Sequence, residues 1–199
     1  ELKAKGVKVI AIERMYTWCL HNDIIPDYVV AMDASDDVIE SFNVINKDTK
    51  HLILSQCKPE VFDKLKEAKA EVYLFSVPQQ GIDFTEFQKD TQLAMINVGG
   101  TVSLGSFSLA MAMGFSKIHF FGFDLHVTNG NYSKGITGVG CIDGVVEVEI
   151  RGKTFKTTTA YFAFMQQFFQ LYQFAKNLKM LKWVKVYGDS MINTASKIN

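Results

Sequence analysis

Short apolar runs rich in β-branched residues recur along this chain, and segments with helical spacing separate them. The strand-like members are KVIAI (Lys8 to Ile12), YVVAMD (Tyr28 to Asp33), HLIL (His51 to Leu54), EVYLFS (Glu71 to Ser76) and the run from Lys117 to Phe121. A strand without polar alternation must be covered on both faces, and strands separated by helices call for parallel crossovers. The alternation predicts an α/β, Rossmann-like, doubly wound and mainly parallel sheet with helices on both faces. ERMYTWCLHN follows the first run and spaces Met15, Trp18 and Cys19 like one helix face. SDDVIESFNVIN follows the second, with Ser35 as N-cap and acids in the first turn. Pro59 opens a third helix, and another is expected from Thr101 to Met113. Val77 to Gln92, which holds Pro78 and Gly81, interrupts the rhythm as a looser segment.

The last third departs from that pattern. VVEVEI (Val145 to Ile150), the turn RGK and TFKT alternate like a two-stranded hairpin. Thr157 to Thr159 then open a long helix running to Leu178, and WVKVYG (Trp183 to Gly188) is a final strand. Tyr161, Phe164, Met165, Phe168, Leu171, Tyr172 and Ala175 form a stripe expected in the core. Phe162 and Phe169 lie off it and leave room for a homodimer surface. A chain of 199 residues, 48% hydrophobic and 21% charged, can bury one good core, and no linker, repeat or low-complexity tract divides it. A single domain over residues 1–199 is expected.

Charge and cysteine usage narrow the function classes. Lysine plus arginine number 21 and aspartate plus glutamate 21, so no global basic field draws a nucleic acid backbone. Cys19, Cys57 and Cys141 are an odd number without zinc-ligand spacing and read as reduced cytoplasmic thiols. No apolar run approaches the roughly 18 residues of a membrane span, and no leader precedes the first strand. The expectation is a cytoplasmic protein without a membrane span or nucleic acid partner. Glu1 stands directly ahead of a strand-like segment, so upstream residues are expected to be missing.

Chemistry is expected at the carboxyl ends of the strands, where turns feed helix N-termini whose free N–H groups favour anions. Gly99 and Gly100 sit at such a turn, bare enough for a phosphate to reach the backbone, with Thr101 and Ser103 as hydroxyl donors. Asp33 and Asp124 each follow a strand. Two carboxylates and an amide-rich turn on one edge suit a magnesium-bound phosphate ester, so Mg2+ is the expected cofactor, with Asp33 and Asp124 as its ligands. His126, two residues beyond Asp124, is a candidate acid/base, and the loop holding Asn129, Gly130 and Asn131 a candidate lid. Each has a plainer reading: a helix start for the glycines, a turn or cap for the acids, a surface histidine for His126. His21, His51 and His119 lie within helix or strand patterns and read as structural.

PDYVVAMDAS, the glycine-led helix ending LAMAMGF, KIHFFGFDLH with its GxDL core, and the closing helix before VKVYG resemble, in that order, the MptE-like 6-hydroxymethylpterin pyrophosphokinase family. That family also contains the flagellar motility accessory factors. The resemblance implies a Rossmann-type fold with some likeness to sialyltransferases and a nucleotide-dependent transferase activity. Gly99, Gly100, Asp33, Gly122, Asp124 and Leu125 match its pattern. Members of the family begin one strand earlier, with a GxGPSL-type turn, and a first strand and glycine turn are expected upstream of residue 1. The motility factors tend to carry Gln before the GxDL aspartate and a histidine in the following loop, where this chain has Phe123 and, near the second place, Tyr132 and Ser133.

Three readings follow. The first is a pyrophosphokinase passing a diphosphoryl group from ATP to a small hydroxymethyl acceptor. The second is a glycosyltransferase using a CMP-nonulosonate type sugar on a glycan acceptor, with His126 as base. The third is a non-catalytic nucleotide-binding module.

Overall fold

The apolar runs pair side by side. A computed structural model describes residues 3–78, 84–91, 93–127 and 144–195. Strands β1 (Ile10–Ile12), β2 (Tyr28–Ala31), β3 (Lys50–Leu54), β4 (Val72–Ser76) and β5 (Ala94–Met95) form one sheet in that order, every neighbouring pair parallel. Val29, Val30 and Ala31 in β2 and Leu52, Ile53 and Leu54 in β3 are all buried, as a doubly covered centre demands. The crossovers are helices α1 (Glu13–His21), α2 (Asp36–Ser41), α3 (Pro59–Glu67) and α4 (Phe84–Thr91). Each connection steps to the next strand in the same direction, which brings consecutive helices together: α1 packs on α2, and α2 on α3. This is a Rossmann-like α/β architecture.

Two local expectations change on contact with the structure. Helix α1 turns Glu13, Tyr16 and Cys19 inward and leaves Trp18 53% exposed, so its buried face is not the Met15, Trp18, Cys19 face that hydrophobicity alone selects. The segment read as loose between Val77 and Gln92 contains α4, and β5 follows it.

The remaining elements are α5 (Val102–Ala112), β6 (Lys117–Phe120), β7 (Val145–Ile150), β8 (Lys153–Thr158), α6 (Thr159–Asn177), β9 (Trp183–Val186) and α7 (Met191–Ala195). β6 pairs with β9 in parallel, and β7 with β8 as an antiparallel hairpin. Arg151 and Gly152 join the hairpin with φ of 51° and 77°, the double left-handed turn that matches strand twist. Thr158 caps α6, its side chain accepting the Tyr161 N–H at 3.1 Å. Met165, Phe168 and Ala175 are the buried side chains of α6, and Phe168 packs edge-on against Phe120 and Phe123.

The chain divides into two compact units, Glu1–Val98 with Gly105–Leu109, and Gly99–Leu104 with Ala110–Asn199. Among the described residues no helix is long and apolar enough to cross a membrane.

Candidate functional site

In the first unit, the carboxyl ends of β1, β2 and β3 gather an unusual set of side chains. β1 ends at Ile12, and the next residue, Glu13, opens α1. A carboxylate suits the first turn of a helix, where the dipole is positive. Glu13, however, is only 3% exposed. Burial pushes its carboxyl up to about 7; its own backbone N–H opposes the rise, the charge of Asp33 adds to it, and Arg14 subtracts. Its Oε2 has no hydrogen-bond partner among the described residues.

Asp33 stands two residues beyond β2, exposed, and its Oδ1 accepts the Ser35 N–H at 2.9 Å. Ser35 occupies the N-cap position of α2 as expected, but its side chain makes no cap bond, and its Oγ is buried without a partner among the described residues. Cys57, just past β3, donates its thiol to the Ala31 carbonyl at 3.6 Å. Burial pushes that thiol up to about 12, with the Glu13 charge adding to the effect, so it stays protonated and inert as a nucleophile. Ser106 and Ser108, from the part of α5 that belongs to this unit, also hold buried hydroxyls without partners among the described residues. Gly105 lets α5 come close: a Cβ there would lie 2.1 Å from Met32 Sδ and 3.2 Å from Val98 Cβ.

The second unit holds the glycine turn and the GFDLH loop. Gly99 has φ of 62°, and the Gly100 N–H donates to Gln167 Oε1 at 2.8 Å. A Cβ at Gly100 would meet the Phe164 ring at 2.3 Å, so packing alone accounts for glycine at that position. Thr101 Oγ1 accepts the Leu104 N–H at 3.2 Å and thereby caps α5; Ser103 sits half-buried in the first turn. After β6, Leu125 takes a left-handed φ of 55°, a conformation a branched side chain holds only when its surroundings impose it. They do: Thr157 Oγ1 donates to the Leu125 carbonyl at 2.8 Å, and the Val127 N–H to the Lys156 carbonyl at 2.7 Å. Asp124 is half-buried, and its backbone carbonyl accepts the Met191 N–H. His126 Nδ1 contacts that same carbonyl at 3.3 Å while the ring packs edge-on to Phe155. A carbonyl only accepts, so Nδ1 carries the hydrogen and Nε2 is left able to take a proton.

A family model described as 6-hydroxymethylpterin diphosphokinase MptE-like matches residues 1–130. The chain belongs to this MptE-like family. No curated protein and no solved structure matches it. Membership supports a pyrophosphokinase-like transferase, and the match spans Glu13, Asp33, Gly99, Gly100 and Asp124.

Within this MptE-like chain, Asp33 belongs to the first unit, while Gly99, Gly100, Thr101, Ser103, Asp124 and His126 belong to the second. The candidate lid at Asn129 to Asn131, together with Tyr132, Ser133 and Cys141, lies outside the described residues. Glu13 was missed by sequence reasoning, although the rule that selects Asp33 and Asp124, an acid close behind an apolar run, selects Glu13 after KVIAI. His51 is buried between the Glu71 carbonyl and the Tyr16 hydroxyl, and His119 bonds the Tyr187 hydroxyl at 2.9 Å, the structural roles expected of them. No group of three or more His, Cys, Asp or Glu among the described residues is placed to hold a metal. Magnesium commonly takes only one or two carboxylates and completes its shell with phosphate and water. Asp33 or Asp124 alone could supply one such carboxylate.

Proposed function

We propose that this MptE-like chain transfers a diphosphoryl group from ATP to the hydroxymethyl oxygen of a small acceptor. The observation that carries the reading is the family match over residues 1–130, which runs through the acidic carboxyl edge of the parallel sheet. In this reaction the hydroxymethyl oxygen bonds to the β-phosphorus of ATP. The bond from that phosphorus to the α–β bridging oxygen breaks, and AMP leaves. The hydroxyl proton passes to a base, the role proposed for His126 through Nε2. Phosphoryl chemistry of this kind depends on positioning and charge neutralisation more than on covalent help from the protein. Asp33 or Asp124 would be the protein carboxylate for a magnesium ion bound with ATP, which would supply neutralisation of phosphate charge. Gly99, Thr101 and Ser103 are the proposed phosphate contacts.

The test is product analysis with the full chain, ATP, magnesium and 6-hydroxymethylpterin as acceptor. Acceptor-dependent release of AMP is the expected result. Release of ADP would mean transfer of a single phosphoryl group and would overturn the reading, as would AMP release indifferent to the acceptor. CMP liberated from a CMP-sugar by the same preparation would favour the glycosyltransferase instead.

A further inference from the structure

We propose that the turn closing α6, together with the first residues of β6 and β9, docks on the surface of an anionic lipid bilayer. The inference does not depend on the transferase reading. Formal charge over the whole chain is zero, but it is unevenly spread: residues 150–188 hold bases and no aspartate or glutamate, and lysine recurs at Lys176, Lys179, Lys182 and Lys185. All four are exposed, as is Lys117 at the start of β6. None of the five forms an ion pair among the described residues. Interleaved with them, Phe174 and Leu178 are 59% and 57% exposed, and Met180 and Trp183 are exposed as well. Large apolar side chains left in water among lysines mark a surface that meets something else.

The backbone holds these side chains together at one end of the second unit. Helix α6 closes with the Met180 N–H donating to the Ala175 carbonyl at 2.9 Å and with Lys179 at a left-handed φ of 57°, which leaves residues 177–180 all exposed on the turn. The Lys182 and Trp183 N–H groups both donate to the Ser116 carbonyl, at 2.7 and 3.2 Å, so this turn sits against the one that leads into β6. Residues 113–117 there hold no acid either. Lys117 lies directly beside Trp183 in the β6–β9 register, and Lys185 is two residues along the same strand face. The indole therefore has a lysine on either side of it.

Charge and side-chain type select the occupant. Leucine, methionine and phenylalanine enter the boundary of the acyl chains, tryptophan settles at headgroup level, and lysine lays its stem along the apolar layer while its ammonium meets an anionic headgroup. A single-stranded nucleic acid needs flat rings on which to stack its bases, which Leu178 and Met180 do not supply. A second copy related by a two-fold axis would bring these lysines up against their own counterparts. Lys117 and Trp183 open parallel strands whose far ends lead to the GFDLH loop and to Gly188. Docking at this end keeps Asp124 and His126 on the side away from the lipid.

Flotation of the full chain with vesicles of phosphatidylcholine, pure or mixed with phosphatidylglycerol, is the test. The wild type should bind the anionic vesicles about tenfold more tightly or better, with the preference shrinking as ionic strength rises. Lys179→Gln combined with Lys182→Gln should weaken binding about fivefold for each lysine removed. Leu178→Ser combined with Met180→Ser should abolish it, and both pairs should melt like the wild type because the side chains are exposed. Trp18→Phe leaves Trp183 as the remaining tryptophan, and brominated acyl chains should quench it. That readout keeps the patch intact and decides the matter if either pair of changes disturbs folding. Binding to neither vesicle, equal binding to both, binding untouched by both pairs, or an unquenched Trp183 on bound vesicles would overturn the assignment. So would binding of an oligothymidylate in place of vesicles, or a wild-type dimer that Leu178→Ser with Met180→Ser dissociates and vesicles do not.

Discussion

The carboxyl group of Glu13 couples this fold to pH. Its ordinary value is 4.5 and the folded value about 7, so between these limits the folded chain holds a proton that the unfolded chain has released. Stability contributed by this group is therefore present at acid pH and lost as pH rises through the window, by about 3 kcal/mol in all. Glu13→Gln should flatten that slope, which urea unfolding across the window would show; an equally steep fall in the variant would refute the attribution. Asp27 acts in the opposite sense. Burial works against its ionisation, but the Val9 N–H and Lys8, each at 2.9 Å, hold its carboxyl below the ordinary value, so its contribution is lost only as pH falls lower still. At Asp124, replacement by Asn should cost within about 1 kcal/mol of stability while activity falls about tenfold or more. Normal turnover in Asp124→Asn would remove it from the site. Asp33 and Asp124 were selected from position alone. Glu13 was not, because a charged residue at a helix start is ordinarily solvated, and only packing against its neighbours reveals that this one is enclosed.

Among the elements, caps and core stripes separate cleanly into those that work and those that only look as though they should. Ser35 and Thr158 both stand at helix N-caps, yet only Thr158 accepts a hydrogen bond from its helix. Thr158→Ala should therefore destabilise by about 1 kcal/mol and Ser35→Ala by much less, a comparison that paired thermal melts would decide. In α6, Phe168 is fully buried and Phe174 is 59% exposed. Truncation of Phe168 to Ala should cost about 3–5 kcal/mol, whereas the same change at Phe174 should be nearly neutral. The hairpin, the long helix and every strand of the alternating series were readable because their periodicity is strong. Helix α4 and strand β5 were not: α4 is short and largely polar, and β5 has only two residues and depends on its place beside β4.

For the whole molecule, nucleotide binding is the broadest test of the proposed transferase. A ligand at a hundredfold excess over its Kd stabilises the fold by about 2.7 kcal/mol, enough for a clear thermal shift. ATP should produce that shift only with magnesium, and silence from ATP, ADP and CMP alike would overturn the nucleotide-dependent transferase. The order of the five parallel strands has a further consequence, for how the chain acquires its shape. Each strand docks beside its immediate predecessor, so the sheet can grow from its amino-terminal edge by closing short loops in succession, as the chain leaves the ribosome. β6 must instead wait for β9, with the hairpin and α6 intervening. Contacts that span so much chain form slowly. In pulsed hydrogen exchange during refolding, the amides of β2 and β3 should gain protection first and those of β6 last, which places the GFDLH loop among the final parts of the molecule to become ordered.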